Sequence, residues 1–95
     1  MYEIVPTKHF LKQVTSLNEE TKKVLDNKIE LLRVNPFRFK AIEGYRATLL
    51  RVRFSDRGKS KRLVYEVRGG SVILWAIFDR DKEYKDLHRY LAQRA

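Results

Sequence analysis

Hydrophobic side chains recur along this chain with two different periods, and the change of period divides it. Phe10, Leu11, Val14 and Leu17 come at helical spacing, and Val24, Leu25, Ile29 and Leu32 repeat that pattern one segment later. Thr7 is placed to cap the first helix, Ser16, Leu17 and Asn18 break it, and Glu19 and Glu20 open the second with acidic charge at its positive end. Asn35-Pro36 must stop that helix, because proline restricts the residue before it and has no N–H to donate. The pattern therefore predicts a helical hairpin over about the first third of the chain. A short strand, Tyr2-Glu3-Ile4-Val5, precedes it, and Pro6 keeps that strand from continuing as a central ladder.

After a basic, partly aromatic connector, Phe37 to Thr48, read as a loop with a short strand or turn, the period falls to two. Leu49 to Phe54 and Lys61 to Arg68 read as two strands of a hairpin joined by a polar loop, Ser55 to Ser60, that contains Gly58. Alternation puts Arg51 and Arg53 on one side and Val52 and Phe54 on the other. Leu63, Tyr65 and Val67 face one way and Arg62, Val64, Glu66 and Arg68 the other, so each strand is expected to have one apolar and one mainly cationic side. Gly69-Gly70 turns the chain into Val72 to Phe78, whose lack of alternation predicts a central strand covered on both faces. Tyr84, Leu87 and Leu91 suggest a short C-terminal helix. The order of elements predicts one α+β domain over residues 1–95, with the helical hairpin packed on a mainly antiparallel β-sheet.

Charge sharpens the picture. The 95 residues carry a formal net charge of +9 and a sequence pI near 10.0. Between Arg33 and Arg68 eleven basic side chains stand against three acidic ones (Glu43, Asp56, Glu66), so nearly all of the excess sits in the middle segment. A basic stretch of this kind points to polyanions as partners. There is no cysteine, which excludes disulfides and thiolate metal sites, and the apolar run Val72 to Phe78 is too short to cross a bilayer. The start of the chain lacks the layout of a signal peptide, and the expected location is cytoplasmic, with no membrane partner.

Three arginines on one sheet face, Arg51, Arg53 and Arg62, suit a phosphate backbone, since a guanidinium binds phosphate oxygens in bidentate fashion. His9 and His88 lie on separate helices and read as surface residues. Asp79, Asp81, Glu83 and Asp86 lack the glycine and the later glutamate of a calcium loop and read as salt links to nearby arginines, so no metal and no cofactor is expected. Trp75 and Phe78, in the most apolar run, read as core.

These residues, in this order, resemble the RelE/ParE superfamily of toxin components from prokaryotic toxin-antitoxin pairs. The likeness rests on Tyr2-Glu3-Ile4-Val5 and the helical hairpin, Asn35-Pro36-Phe37, Leu50-Arg51-Val52-Arg53, Arg62-Leu63-Val64-Tyr65-Glu66-Val67, and the apolar strand leading to Asp79-Arg80 and Tyr84. It implies a microbial RNase-like fold and, in the RelE branch, metal-independent cleavage of mRNA on the ribosome with the substrate's 2′-hydroxyl as nucleophile. Arg51, Arg53, Arg62, Arg80 and Tyr84 match the positions that the resemblance makes catalytic, while Lys40, Arg46, Lys59 and Lys61 would bind RNA. Two departures stand out: arginines occupy the alternate positions where lysines are familiar, and Asp79 stands where many relatives carry histidine. The resemblance further implies a RelB-like antitoxin held in a hetero-oligomer. Its ParE branch offers the alternative of a DNA gyrase inhibitor without nuclease chemistry, and a catalytically inactive RNA-binding relative is a third reading.

Overall fold

The computed structural model describes residues 1–79. Strand β1 (Glu3–Pro6) is followed by helices α1 (Lys8–Thr15) and α2 (Glu19–Val34), a single 3-10 turn (Pro36–Arg38), and strands β2 (Lys40–Ile42), β3 (Thr48–Asp56), β4 (Lys59–Arg68) and β5 (Ser71–Asp79). The strands form one five-stranded sheet in the order β1-β5-β4-β3-β2, antiparallel except for the parallel β1–β5 pair. This is the expected α+β arrangement, with α1 laid on β5 and α2 on β3. The expected terminal helix, with Arg80, Tyr84 and His88, lies outside the described residues.

Local chemistry sets the helix ends. The Thr7 side chain accepts from the Phe10 N–H at 3.1 Å, and the Asn18 side chain accepts from the Thr21 N–H at 2.8 Å, so each helix start has an orphan donor satisfied. Between the helices and the sheet lies the main core: Phe10, Leu25 and Leu32 from the helices meet Leu50, Val52, Phe54, Leu63, Tyr65, Val67, Val72, Leu74 and Ile77 from the sheet. Each fully buried leucine here contributes roughly 2 kcal/mol by removal from water. The Tyr65 hydroxyl, deep in this core, donates to the Pro36 carbonyl at 2.6 Å and so ties the end of α2 to the middle of the sheet. Burial pushes the Tyr65 phenol far above its ordinary range, keeping it a neutral donor.

Four sequence expectations change. Of the apolar residues at helical spacing in α1, Leu11 is half exposed, while Phe10 turns inward. The loop expected over Ser55 to Ser60 is a two-residue turn, Arg57-Gly58, both at positive φ (51° and 82°), and the strands extend to meet it. Strand β5 is interior, as its apolar run implies, but β4 takes the middle position. Finally, the far side of β4 is not mainly cationic: Val64 and Glu66 are buried there, and Leu49, Val64, Ala76 and Phe78 form a second, smaller core with Ile42, Tyr45, Ala47 and Trp75 packed on it.

A β-bulge explains why β5 fails to alternate. Val64 pairs with Ala76 but Tyr65 pairs with Leu74, leaving Trp75 as the extra residue. Before the bulge Val72 and Leu74 face the helices; after it Ile77 does, and Ala76 and Phe78 face the other way. The outer edge of β5 is closed by side chains once β1 ends at Pro6. The Thr7 hydroxyl donates to the carbonyls of Leu74 and Trp75 (2.9 and 3.0 Å), and the Gln13 amide both donates to the Ile77 carbonyl (2.8 Å) and accepts from the Ile77 N–H (2.6 Å).

The hairpin tip is fastened to α2 by a charged residue. Asp56 is 4% exposed and accepts from the Thr21 hydroxyl at 2.9 Å, with Arg57 at 3.4 Å and Lys61 at 3.8 Å. Burial alone would raise its pKa, yet the Thr21 hydrogen bond and the two cations outweigh it and hold the carboxyl below the usual aspartate range. The stabilisation from this ionised group is present above the unfolded pKa, near pH 4, and is lost as pH falls through the depressed folded value. Asp56→Asn is therefore expected to lower the urea midpoint at neutral pH. The gap to the parent should close as both are titrated to about pH 2 to 3; a gap independent of pH would show that Asp56 acts through shape alone.

Candidate nucleic-acid interface

Register fixes the layout of the sheet face turned away from the helices. Lys40 pairs with Arg51, Arg51 with Val64, and Val64 with Ala76; one row on, Arg53 pairs with Arg62 and Arg62 with Phe78. Paired residues share a face, so Lys40, Arg51, Arg53 and Arg62 lie together on the side opposite Val52 and Phe54. Their Cα atoms fall within about 5–7 Å of the nearest neighbour, within reach of one phosphate for side chains as long as arginine. Arg51 and Arg62 are half-buried and Lys40 and Arg53 exposed. The smaller core supplies the floor: Val64 stands beside Arg51 and Phe78 beside Arg62 in the ladder.

Ion pairing divides the basic residues of the described chain. Lys22, Arg33, Arg57, Lys61 and Arg68 each reach a carboxylate. Lys40, Arg51 and Arg53 make no side-chain hydrogen bond or ion pair among the described residues. Moreover, Arg53 stands directly opposite Arg62, a cross-strand placement of like charges that destabilises a sheet. Among the described residues the face therefore carries positive charge with no carboxylate partner at three positions, which suits a bound anion.

The other candidate residues are placed differently. Lys59 and Lys61 have the opposite strand parity, on the helix side; Lys61 is taken up by Asp79 at 2.9 Å and Asp56, so Asp79 makes a salt link to a lysine. Arg46 is exposed in the loop before β3, whose Tyr45 and Ala47 pack over the smaller core. Arg80 and Tyr84 lie outside the described residues. His9 is half-buried on α1, in the other layer, and Trp75 and Phe78 belong to the smaller core as expected. Among the described residues no three His, Asp or Glu side chains gather as metal ligands.

Two features escaped the sequence reading. Glu66, 3% exposed, accepts from the Trp75 indole N–H at 3.0 Å on one oxygen and from Arg68 on the other (Nε 3.0 Å, Nη2 2.8 Å). This pair, two guanidinium nitrogens on one carboxylate oxygen, confines a buried negative charge to the apolar end of the face and takes Arg68 out of the cationic patch. Ser55 and Ser60, paired across the hairpin one row beyond Arg53 and Arg62, extend the same face with hydroxyls. Their signal was strand parity alone, two residues after Arg53 and two before Arg62.

Because Arg53 stands opposite Arg62, Arg53→Gln is expected to raise the urea midpoint, by about 0.5 kcal/mol in stability. The gain should shrink as salt rises from about 20 mM to about 500 mM. A loss of stability at low salt would mean that Arg53 is a packing residue.

No protein-family model matches the sequence, and no curated protein does. Solved structures do match the backbone. A free-state structure of the E. coli toxin RelE carrying two arginine-to-alanine substitutions aligns with TM-score 0.78 at 17% identity, covering 98% of this chain and 96% of that one. The isolated E. coli RelE toxin in a P21 crystal form aligns with TM-score 0.71 at 18% identity, covering 96% of this chain and 99% of the other. Identity this low carries the path of the backbone and not the chemistry of the side chains, and by that path this chain has the fold of the RelE toxin.

Proposed function

We propose that this protein is a RelE-like toxin of a toxin-antitoxin pair, an endoribonuclease that cleaves mRNA on the ribosome in the cytoplasm. The observation that carries the reading is the cluster of Lys40, Arg51, Arg53 and Arg62 on one face, with Lys40, Arg51 and Arg53 lacking any carboxylate partner among the described residues. In the reaction the 2′-oxygen attacks the adjacent phosphorus, the bond to the 5′-oxygen breaks, and the products are a 2′,3′-cyclic phosphate and a 5′-hydroxyl. A proton leaves the nucleophile and another reaches the leaving oxygen.

Arginine suits half of this work. Arg51, Arg53 and Arg62 hold the phosphate in line and stabilise its extra negative charge, and Arg80 joins them in this reading while Tyr84 orients the 2′-hydroxyl. Being effectively always protonated, arginine cannot act as base and is a poor acid. Proton transfer is then the slow step. Because Lys61 is engaged by Asp79 and Asp56 on the other face, it does not supply that proton. The antitoxin in this reading is an acidic or amphipathic chain that covers the basic face.

The test is to incubate the protein with programmed ribosomes and map mRNA ends, with a gyrase supercoiling reaction alongside. Ribosome-dependent cuts are expected, falling by about 100-fold or more in Arg62→Ala, and rising in Arg51→Lys or Arg53→Lys because lysine titrates more readily. Intact mRNA together with inhibited gyrase would overturn the reading.

A further inference from the structure

The edge of the sheet beyond the arginine cluster is open. Pairing of β2 with β3 ends at Lys40–Arg51, so Arg53 to Asp56 run along an edge with no neighbouring strand among the described residues. A cavity of about 400 Å³ wraps this edge, lined by Val24, Lys28, Arg53, Phe54, Ser55, Gly58 and Ser60. Arg53 belongs to both the cationic face and the cavity, and Ser55 and Ser60 follow it on the same face; Lys28 reaches the cavity from α2 on the other layer. None of Lys28, Arg53, Ser55 and Ser60 has a side-chain hydrogen bond or ion pair among the described residues. Two cations and two hydroxyls, with no side-chain partner among the described residues, thus meet beside Val24 and Phe54 in an open hollow on the surface.

We infer that this hollow is a second nucleotide subsite, in which Lys28 grips the backbone phosphate of single-stranded RNA next to the one held at Arg53, the Ser55 and Ser60 hydroxyls hydrogen-bond its sugar-phosphate, and Val24 faces the base. The inference rests on the reading of the arginine face as an RNA site and extends it: the strand leaves that face around the open edge of β3 toward α2. The hydroxyls and the apolar wall beside the cations favour RNA over an acidic peptide, because a sugar and a base accompany each phosphate of a nucleic-acid strand. A neighbouring hollow of about 250 Å³ adds Glu20 and Arg57 to Val24, Ser55 and Gly58, and the Glu20 carboxylate repels phosphate, so the path stops short of it.

The experiment is binding of 2′-O-methyl oligouridines, which have no nucleophile and stay intact, by fluorescence anisotropy to the full chain. A hexamer reaches both subsites and a dimer only one. Lys28→Gln and Ser60→Ala are each expected to weaken the hexamer about 3- to 10-fold and leave the dimer unchanged, and Lys28→Gln to reduce the salt slope for the hexamer by about 0.7. Amide resonances of Ser55, Gly58 and Ser60 should shift with the hexamer and far less with inorganic phosphate at equal phosphate concentration. Equal shifts with inorganic phosphate would overturn the RNA assignment in favour of a simple anion site, and shifts with an oligoglutamate peptide but not with the hexamer would assign the cavity to an acidic protein segment instead. Arg51→Ala separates the two levels. If it weakens both oligomers while Lys28→Gln and Ser60→Ala weaken neither, this subsite fails and the arginine face stands; if Arg51→Ala has no effect on either oligomer, the parent reading fails.

Discussion

Everything on the cationic face depends on the register between β3 and β4. Side chains on a strand alternate with period two, so a slip of β3 by one residue against β4 would drive Arg51 and Arg53 into the main core and take Val52 and Phe54 out of it. Three devices hold it. The two-residue turn at Arg57-Gly58 fixes which residues face each other at the tip. Asp56 fastens that tip to Thr21 of α2, and the Tyr65 hydroxyl fastens the middle of β4 to Pro36. Because the hydrophobic pattern, the turn and these two buried hydrogen bonds agree, the sheet tolerates Arg53 opposite Arg62.

The sheet's two working edges are treated in opposite ways. On β5, Thr7 and Gln13 complete the ladder with side-chain groups after Pro6 ends β1. Nothing comparable covers Arg53 to Asp56 on β3 among the described residues; instead the edge carries arginine, serines and a tight turn. Exposed strand edges invite pairing with other chains, and charge on the edge is a common means of limiting it. Here that charge lies beside a cavity, so one feature limits aggregation and attracts an anion.

The two ends of the far face have separate electrostatic fates. At one end Glu66 neutralises Arg68 and accepts from Trp75 above the smaller core, where the loop carrying Tyr45 and Ala47 folds over. At the other, among the described residues, Lys40, Arg51 and Arg53 have no carboxylate partner. Glu66, placed on this face by the parity of β4, thus concentrates the positive field where the strand order already gathers it.

The chain's own chemistry determined the helices, their caps and stops, and the grouping of Arg51, Arg53 and Arg62, because those follow from local propensity and from a period that any strand obeys. Tertiary structure decided what depends on contacts far apart in sequence. The bulge at Trp75 shows only in the pairing of β4 with β5, and the clamp by Gln13 requires β1 to end beside β5. Charge alone could not tell Lys61, which ion-pairs on the helix side, from Arg53, which has no ion pair among the described residues, since a cation's fate depends on which carboxylate the fold brings within about 4 Å of it. Strand β2 stops pairing at Arg51, and that length, invisible in a basic connector, leaves open the edge around which the cavity forms.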